Sequence, residues 1–172
     1  MGLSASKRVK WTLASSTEFN SACDSAYDHC LSLTQHAVHG VFPYQLPTAA
    51  THLHRILTTT NPHPSIIRWV PSPPTRSQVD FALRVITRHD KNDDSGQEEG
   101  EIIGTAQFKE WALVLFVDAV VGNAGKAVLR RVPIGIAGIS GIGAVTRSNR
   151  NVVGAAIGVY ALGVATSVFL SL

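Results

Sequence analysis

From Val132 to the last residue the chain contains no acid and only two basic side chains, Arg147 and Arg150. The stretch reads VPIGIAGISGIGAVTRSNRNVVGAAIGVYALGVATSVFLSL. Two successive helices that are apolar on every face are expected in lipid, with a soluble Gly-rich core helix as the alternative. Segment 151–172 has 22 residues without a charge, and a helix needs roughly 20 to cross a hydrocarbon core about 30 Å thick. Segment 132–146 has 15 uncharged residues, or about 22 Å at 1.5 Å per residue. Joined by TRSNRN, the two read as a transmembrane helical hairpin whose arginines snorkel at the tip.

The glycines point the same way. Seven of the 14 fall in this stretch, and in water each weakens a helix by about 1 kcal/mol. Between membrane helices small residues let backbones approach. Gly154 and Gly158, extended by Ala161 and Ala165, are therefore expected to be packing surfaces between hairpins in an oligomer.

The rest of the chain is different in kind. All 12 acids and 13 of the 15 Lys and Arg residues precede Val132. An overall hydrophobic content of 45% thus hides a polar body and an apolar tail. The net charge of +3 is small and no basic block alternates with aromatics, which argues against nucleic-acid binding. Cys23 and Cys30 share one helical face about 10 Å apart along the axis, too far for an easy disulfide, and are expected as reduced, core-forming thiols. MGLSASKRVK lacks the apolar segment of a signal peptide, so insertion is expected after synthesis, with the N-terminal body cytosolic. Lys7, Arg8, Lys10, Arg130 and Arg131 would share that side. The same ten residues fit the N-myristoylation pattern at Gly2, with Ser6 in place and basic residues behind it; a plain solvated N-terminus is the alternative.

The body reads as all-α. Phe19, Cys23, Ala26, Cys30, Leu33 and Ala37 recur at helical spacing between Thr17 and Gly40, after a Ser16 or Thr17 cap. A short amphipathic helix is expected near Ala49–Thr58. IIRWVPSPPTRS reads as an extended, Pro-rich arm. SQVDFALRVITRH is a helix capped by Ser77. His36 with His39, and His52 with His54, lack acidic or Cys partners nearby and are expected as ordinary surface or core residues.

Between that helix and the next lies DKNDDSGQEEGE, with six acids and one lysine. Helix, acidic loop and helix form the EF-hand arrangement, whose twelve-residue loop supplies oxygens at fixed positions. Asp90, Asn92, Asp94, Glu98 and Glu101 occupy positions 1, 3, 5, 9 and 12, as a calcium ligand set would. Ser95 stands where a glycine is usual, Gln97 where an aliphatic residue is usual, and the loop is single. The expectation is an EF-hand-like motif, with a solvated acidic loop as the alternative.

The helix that follows contains ALVLFVDAVV, and a carboxylate inside an apolar run faces a bundle interior or a watery path. Segment 105–128 is thus a candidate pore-lining helix, with Asp118, Glu110 and Asn123 as pore residues and Glu98, Glu99 and Glu101 as outer acids. The alternative places Asp118 on the wet side of an amphipathic helix. The expected division is 1–104, a cytosolic helical region with the Pro-rich arm and acidic loop, and 105–172, a membrane or pore region.

MGLSASKRVK, the EF-like loop with QFKEW, and the Gly-rich hairpin ending YALGVATSVFLSL together resemble the WeiTsing family, small plant membrane proteins of clubroot resistance. The resemblance implies an endoplasmic-reticulum protein that assembles as a pentamer around a calcium-permeable cation pore and promotes plant immunity. No enzyme is expected: no nucleophile sits with a base in motif spacing, and GIAGISGIG lacks the strand that a phosphate-binding loop follows. Calcium is the expected ion, no organic cofactor is expected, and lipid and further copies of the chain are the expected partners. The rival reading is a membrane-anchored calcium sensor or adaptor without a pore.

Overall fold

The computed structural model describes residues 4–35, 39–90, 102–145 and 150–172, with backbone alone at 89–90, 141–145 and 150–151. It is all-helical: α1 (Ala5–Ala14), α2 (Thr17–Leu33), α3 (Leu46–Arg55), α4 (Pro64–Trp69), α5 (Arg76–Asp90), α6 (Thr105–Val145) and α7 (Arg150–Leu170). The chain divides into two units, Met1–Val120 and Val121–Leu172, so the boundary falls inside α6.

In the first unit the helix starts obey capping chemistry. Ser16 Oγ accepts the Phe19 N–H at 3.1 Å and donates to Glu18 Oε2 at 2.7 Å. That second bond, made to the charged carboxylate, holds the Glu18 pKa below its ordinary value. α5 is capped by Thr75 rather than Ser77: Gln78 Oε1 reaches back to accept the Thr75 N–H at 2.9 Å.

Where α2 stops is equally local. The expected continuation to Gly40 does not occur. Thr34 and Gln35 N–H groups bond to Leu31 and Ser32 at i−3 spacing, and Gln35 turns left-handed at φ 52°. Leu33, expected inside, is 55% exposed.

After the turn, Val41 and Ile103 exchange both backbone hydrogen bonds, at 3.0 and 2.9 Å. This bridge needs Gly40, because a Cβ there would collide with Ile102 Cγ2 and press on the Ile103 carbonyl. Gln45 completes the junction, accepting from Phe42 N–H at 2.9 Å and donating to the Cys30 carbonyl at 3.0 Å.

α3 runs into a π-turn over Ile56–Thr60. Thr58 and Thr59 hydroxyls bond back to the His54 and Arg55 carbonyls, at 2.9 and 2.6 Å, and offer the backbone partners outside the α ladder. The expected extended arm is partly helical. Pro64 occupies a first-turn position of α4, where its missing N–H costs nothing. Val70, the residue before Pro71, lies outside the helix, as that proline demands.

The core gathers Val9 and Leu13 from α1, Phe19, Cys23, Ala26 and Cys30 from α2, Leu53 and Leu57, Ile66 and Trp69, Val79 and Ile86, and the first part of α6. Cys23 and Cys30 are free and buried, as their spacing suggested. Burial pushes the two thiols up to about 12 and about 11, so neither is a thiolate at neutral pH. His54 is buried with Nε2 2.8 Å from the Val70 carbonyl, while His52 stacks on His29 at 4.2 Å. His54 therefore serves the core.

The second unit is the remainder of α6 with α7. Two stretches are long and apolar enough to cross a membrane, Thr105–Ser140 and Val152–Leu170. Helix α6 passes through Arg130, Arg131 and Pro133 unbroken, where the sequence reading placed an interruption. An internal proline removes one ladder bond and crowds the carbonyl four residues back, at a cost of about 3 kcal/mol that the helix here sustains.

Candidate membrane region and ion pathway

In the hairpin unit, one close approach organises the two helices. Tyr160 of α7 donates its hydroxyl to the Arg131 carbonyl of α6 at 3.2 Å. Its ring lies where a Cβ on residue 135 would be, and Gly135 leaves that space open. Glycine at 135 and tyrosine at 160 are therefore one fitted pair. Sequence reasoning missed it, although Tyr160 is the sole tyrosine after Tyr44 and stands opposite the regular glycines.

The other glycines behave differently. A Cβ at Gly138, Gly154, Gly158 or Gly163 would meet nothing within 4 Å. Among the described residues, Gly154 and Gly158 thus have no close packing partner within the chain. Around them Val152, Val159, Leu162 and Leu170 are between 61% and 73% exposed, as Leu129 and Ile134 are on α6 at 74%. Large aliphatic side chains interleaved with open glycines line the outside of this helix pair. In water such a surface would be an aggregation site; in lipid it is solvated.

The two apolar stretches are not equivalent. Of the most apolar window in Thr105–Ser140, 33% is buried, against 6% in Val152–Leu170. The difference comes from the first part of α6. Phe108, Trp111, Ala112, Leu115, Phe116 and Ala119 are all buried. Phe108 meets Tyr27 edge-on at 5.5 Å, and Trp111 Nε1 donates to the Val79 carbonyl at 3.4 Å. Lys109 pairs with Asp24 at 2.7 Å, a half-exposed contact worth about 1 kcal/mol or less. This part of α6 is the core helix of the first unit.

Among the expected pore residues, Glu110 and Asp118 are exposed on that same part of α6, Glu110 opposite its buried side and Asp118 at the flank. Eight residues separate them, about 12 Å along the axis and 80° around it. Asn123 is half-buried and falls in the second unit.

Of the acidic loop, Asn92, Asp94, Glu98, Glu99 and Glu101 lie outside the described residues, and Asp90 is described by its backbone alone at the end of α5. Helix α6 begins at Thr105, with Gln107 Oε1 accepting the Gly104 N–H at 3.2 Å. Gly2, His36 and most of the TRSNRN turn also lie outside the described residues. Among the described residues no group of three or more His, Cys, Asp or Glu side chains is arranged to hold a metal ion.

These features define a class: an all-helical protein whose C-terminal pair of apolar helices is long enough to cross a membrane. Nothing narrower comes from comparison. No family matches the chain, and no curated protein or solved structure is significantly similar to it.

Proposed function

We propose that this chain is a calcium-permeable, cation-selective channel of the endoplasmic-reticulum membrane, built from several copies of the chain and acting in plant immune signalling. The observation that carries the oligomer is the outer surface of the α6–α7 pair. Gly138, Gly154, Gly158 and Gly163 are open notches on it, and the described residues of one copy offer nothing to fill them. Neighbouring copies would fill them in the manner of small-residue membrane interfaces. The location, the five-fold count and the immune role rest on the resemblance to the WeiTsing family. In this reading Glu110 and Asp118 form rings that attract cations, Asn123 lines the path further on, and Glu98, Glu99 and Glu101 gather calcium at the mouth.

A second reading has an observation of its own. Burial of Phe108, Trp111, Leu115 and Phe116 makes the first part of α6 the core of the N-terminal unit. That arrangement fits a body on a membrane anchor, a sensor or adaptor whose acidic loop binds calcium without a pore. Neither reading assigns a catalytic role to any residue.

Purified chain in planar bilayers separates the two. Cation current with a reversal potential shifted by a calcium gradient supports the channel. Membrane integration without current, in protein that keeps its helical content and a defined oligomer, rejects the channel and leaves the anchor.

A further inference from the structure

Helix α1 was not foreseen in the sequence, and the fold uses only one of its sides. Val9 and Leu13 are buried, whereas Trp11 is 75% exposed. The two other tryptophans, Trp69 and Trp111, are 7% and 0% exposed. At about 100° per residue, Lys7, Trp11 and Ala14 fall on the side away from Val9 and Leu13, and Lys10 flanks them, so the four share an arc about 100° wide. All four are exposed. Arg8 lies at the edge of this face, and no acid precedes Glu18. The first seventeen residues are therefore purely basic, with an indole in the middle of the basic face.

That combination has a specific chemistry. Lysine ammonium groups meet anionic headgroups, and an indole settles at the boundary between headgroups and acyl chains. A helix carrying both on one side lies in the interface plane. A protein partner fits less well. A stable interface buries about 800 Å² per partner around a dry cluster of anchors, and this ten-residue helix presents one aromatic ring beside Ala14. A lipid surface needs only the ring and the charges. The apolar α6–α7 pair of the same chain would bring a bilayer within reach.

We propose that the Lys7–Lys10–Trp11 face of α1 docks on an anionic phospholipid surface. The inference rests on the membrane reading above but not on a pore.

Trp11 is its own reporter, since the other two indoles are buried. The full chain carrying Gly2→Ala, so that no acyl chain contributes, is reconstituted into phosphatidylcholine vesicles with and without phosphatidylserine. Resistance to alkaline extraction shows that α6 and α7 have inserted, independently of α1. Expected is a blue-shifted emission, quenched by brominated lipid and protected from acrylamide, only with phosphatidylserine and reversed by high salt. Trp11→Phe should remove the change. Lys7→Gln with Lys10→Gln should weaken docking about thirty-fold, at roughly five-fold per basic residue near such a surface. In protein that has inserted, three results overturn the proposal: Trp11 equally open to acrylamide in both vesicles, equal lipid quenching without phosphatidylserine, or shielding already present in detergent. The last would point to a protein surface. Failure to insert would instead reject the membrane reading itself, and the proposal with it.

Discussion

The ring of Phe19 stands edge-on to that of Phe116, with centroids 6.1 Å apart and planes at 80°. Tyr27 meets Phe108 in the same manner at 5.5 Å. Eight residues separate the two members on each helix and their order is reversed, so α2 and the first part of α6 run antiparallel. The pairing fixes which side of α6 is dry. Glu110 lies opposite that side and Asp118 at its flank, both exposed.

Phe19→Ala should destabilise the N-terminal unit by about 3–5 kcal/mol, the range for emptying a buried phenylalanine site. Trp111 fluorescence during urea unfolding reports it, because Trp111 sits 5.2 Å from Phe108 in the same cluster. A cycle with Phe19→Leu and Phe116→Leu should show about 0.5–1.5 kcal/mol of coupling from the edge-on geometry. Additive losses would reduce the contact to plain burial.

How much of this was legible depended on the reach of each rule. Phe19, Cys23, Ala26 and Cys30 were readable because a 3.6-residue period needs no partner to be seen. Leu33 was misplaced because Thr34 and Gln35 end the helix through short-range hydrogen bonds that periodicity does not register. Helix α1 was missed because only Val9 and Leu13 mark its dry side. Helix α4 was hidden by prolines that read as breakers although Pro64 starts it. Among the candidate site residues, the openness of Gly154 and Gly158 and the fit of Gly135 to Tyr160 could not be told apart in sequence. All three are glycines in a glycine-rich run, and only the partner helix distinguishes them.

Gly135→Ala should push the Tyr160 ring out of its seat and break its bond to the Arg131 carbonyl. Tyr160→Phe alone should cost about 0.6 kcal/mol, typical of a hydrogen bond between membrane helices. In the Gly135→Ala background the same change should cost nothing. Unfolding in mixed micelles measures the cycle, and equal costs in both backgrounds would uncouple the two residues.

His63 predicts how stability follows pH. It is 5% exposed, and its Nδ1 has no hydrogen-bond partner among the described residues. Burial lowers its pKa from 6.5, against an opposing pull from Glu18. The unfolded chain therefore binds the proton more readily than the folded one. Stability is full above about pH 6.5 and falls as the pH drops below that value. The thermal midpoint of the N-terminal unit should decrease between about pH 7 and pH 5, and less so in His63→Leu. The slope left in the variant would report His52, whose pKa burial, His29 and Arg55 also lower. An unchanged slope would clear His63.

Gly158→Leu addresses assembly. A Cβ added there meets no described atom within 4 Å, so the α6–α7 pair should fold as before. If neighbouring copies use the notch, the oligomer in mild detergent should shift to smaller species. Tyr160→Phe serves as a control that leaves the outer surface alone. The same oligomer in Gly158→Leu, with the same current, would mean that these glycines face lipid.

Permeation gives the most demanding test. Asp118 is exposed on α6, and in a symmetric assembly each copy would add one such carboxylate to a ring. Low-dielectric walls focus the field of a ring, favouring cations and divalent cations most. Asp118→Asn preserves shape and removes the charge. It should lower calcium permeability relative to monovalent ions and chloride, with the oligomer intact. Neutralising Glu98, Glu99 and Glu101 should have a smaller effect that fades at high ionic strength, because salt screens charges in open water within about 10 Å at 0.1 M. Glu110→Gln should fall between the two, since it lies about 12 Å from Asp118 along the helix. Unchanged reversal potentials in both Asp118→Asn and Glu110→Gln would remove these residues from the filter. In the anchor reading neither substitution alters any current, and only calcium binding by the acidic loop would respond to its own mutations.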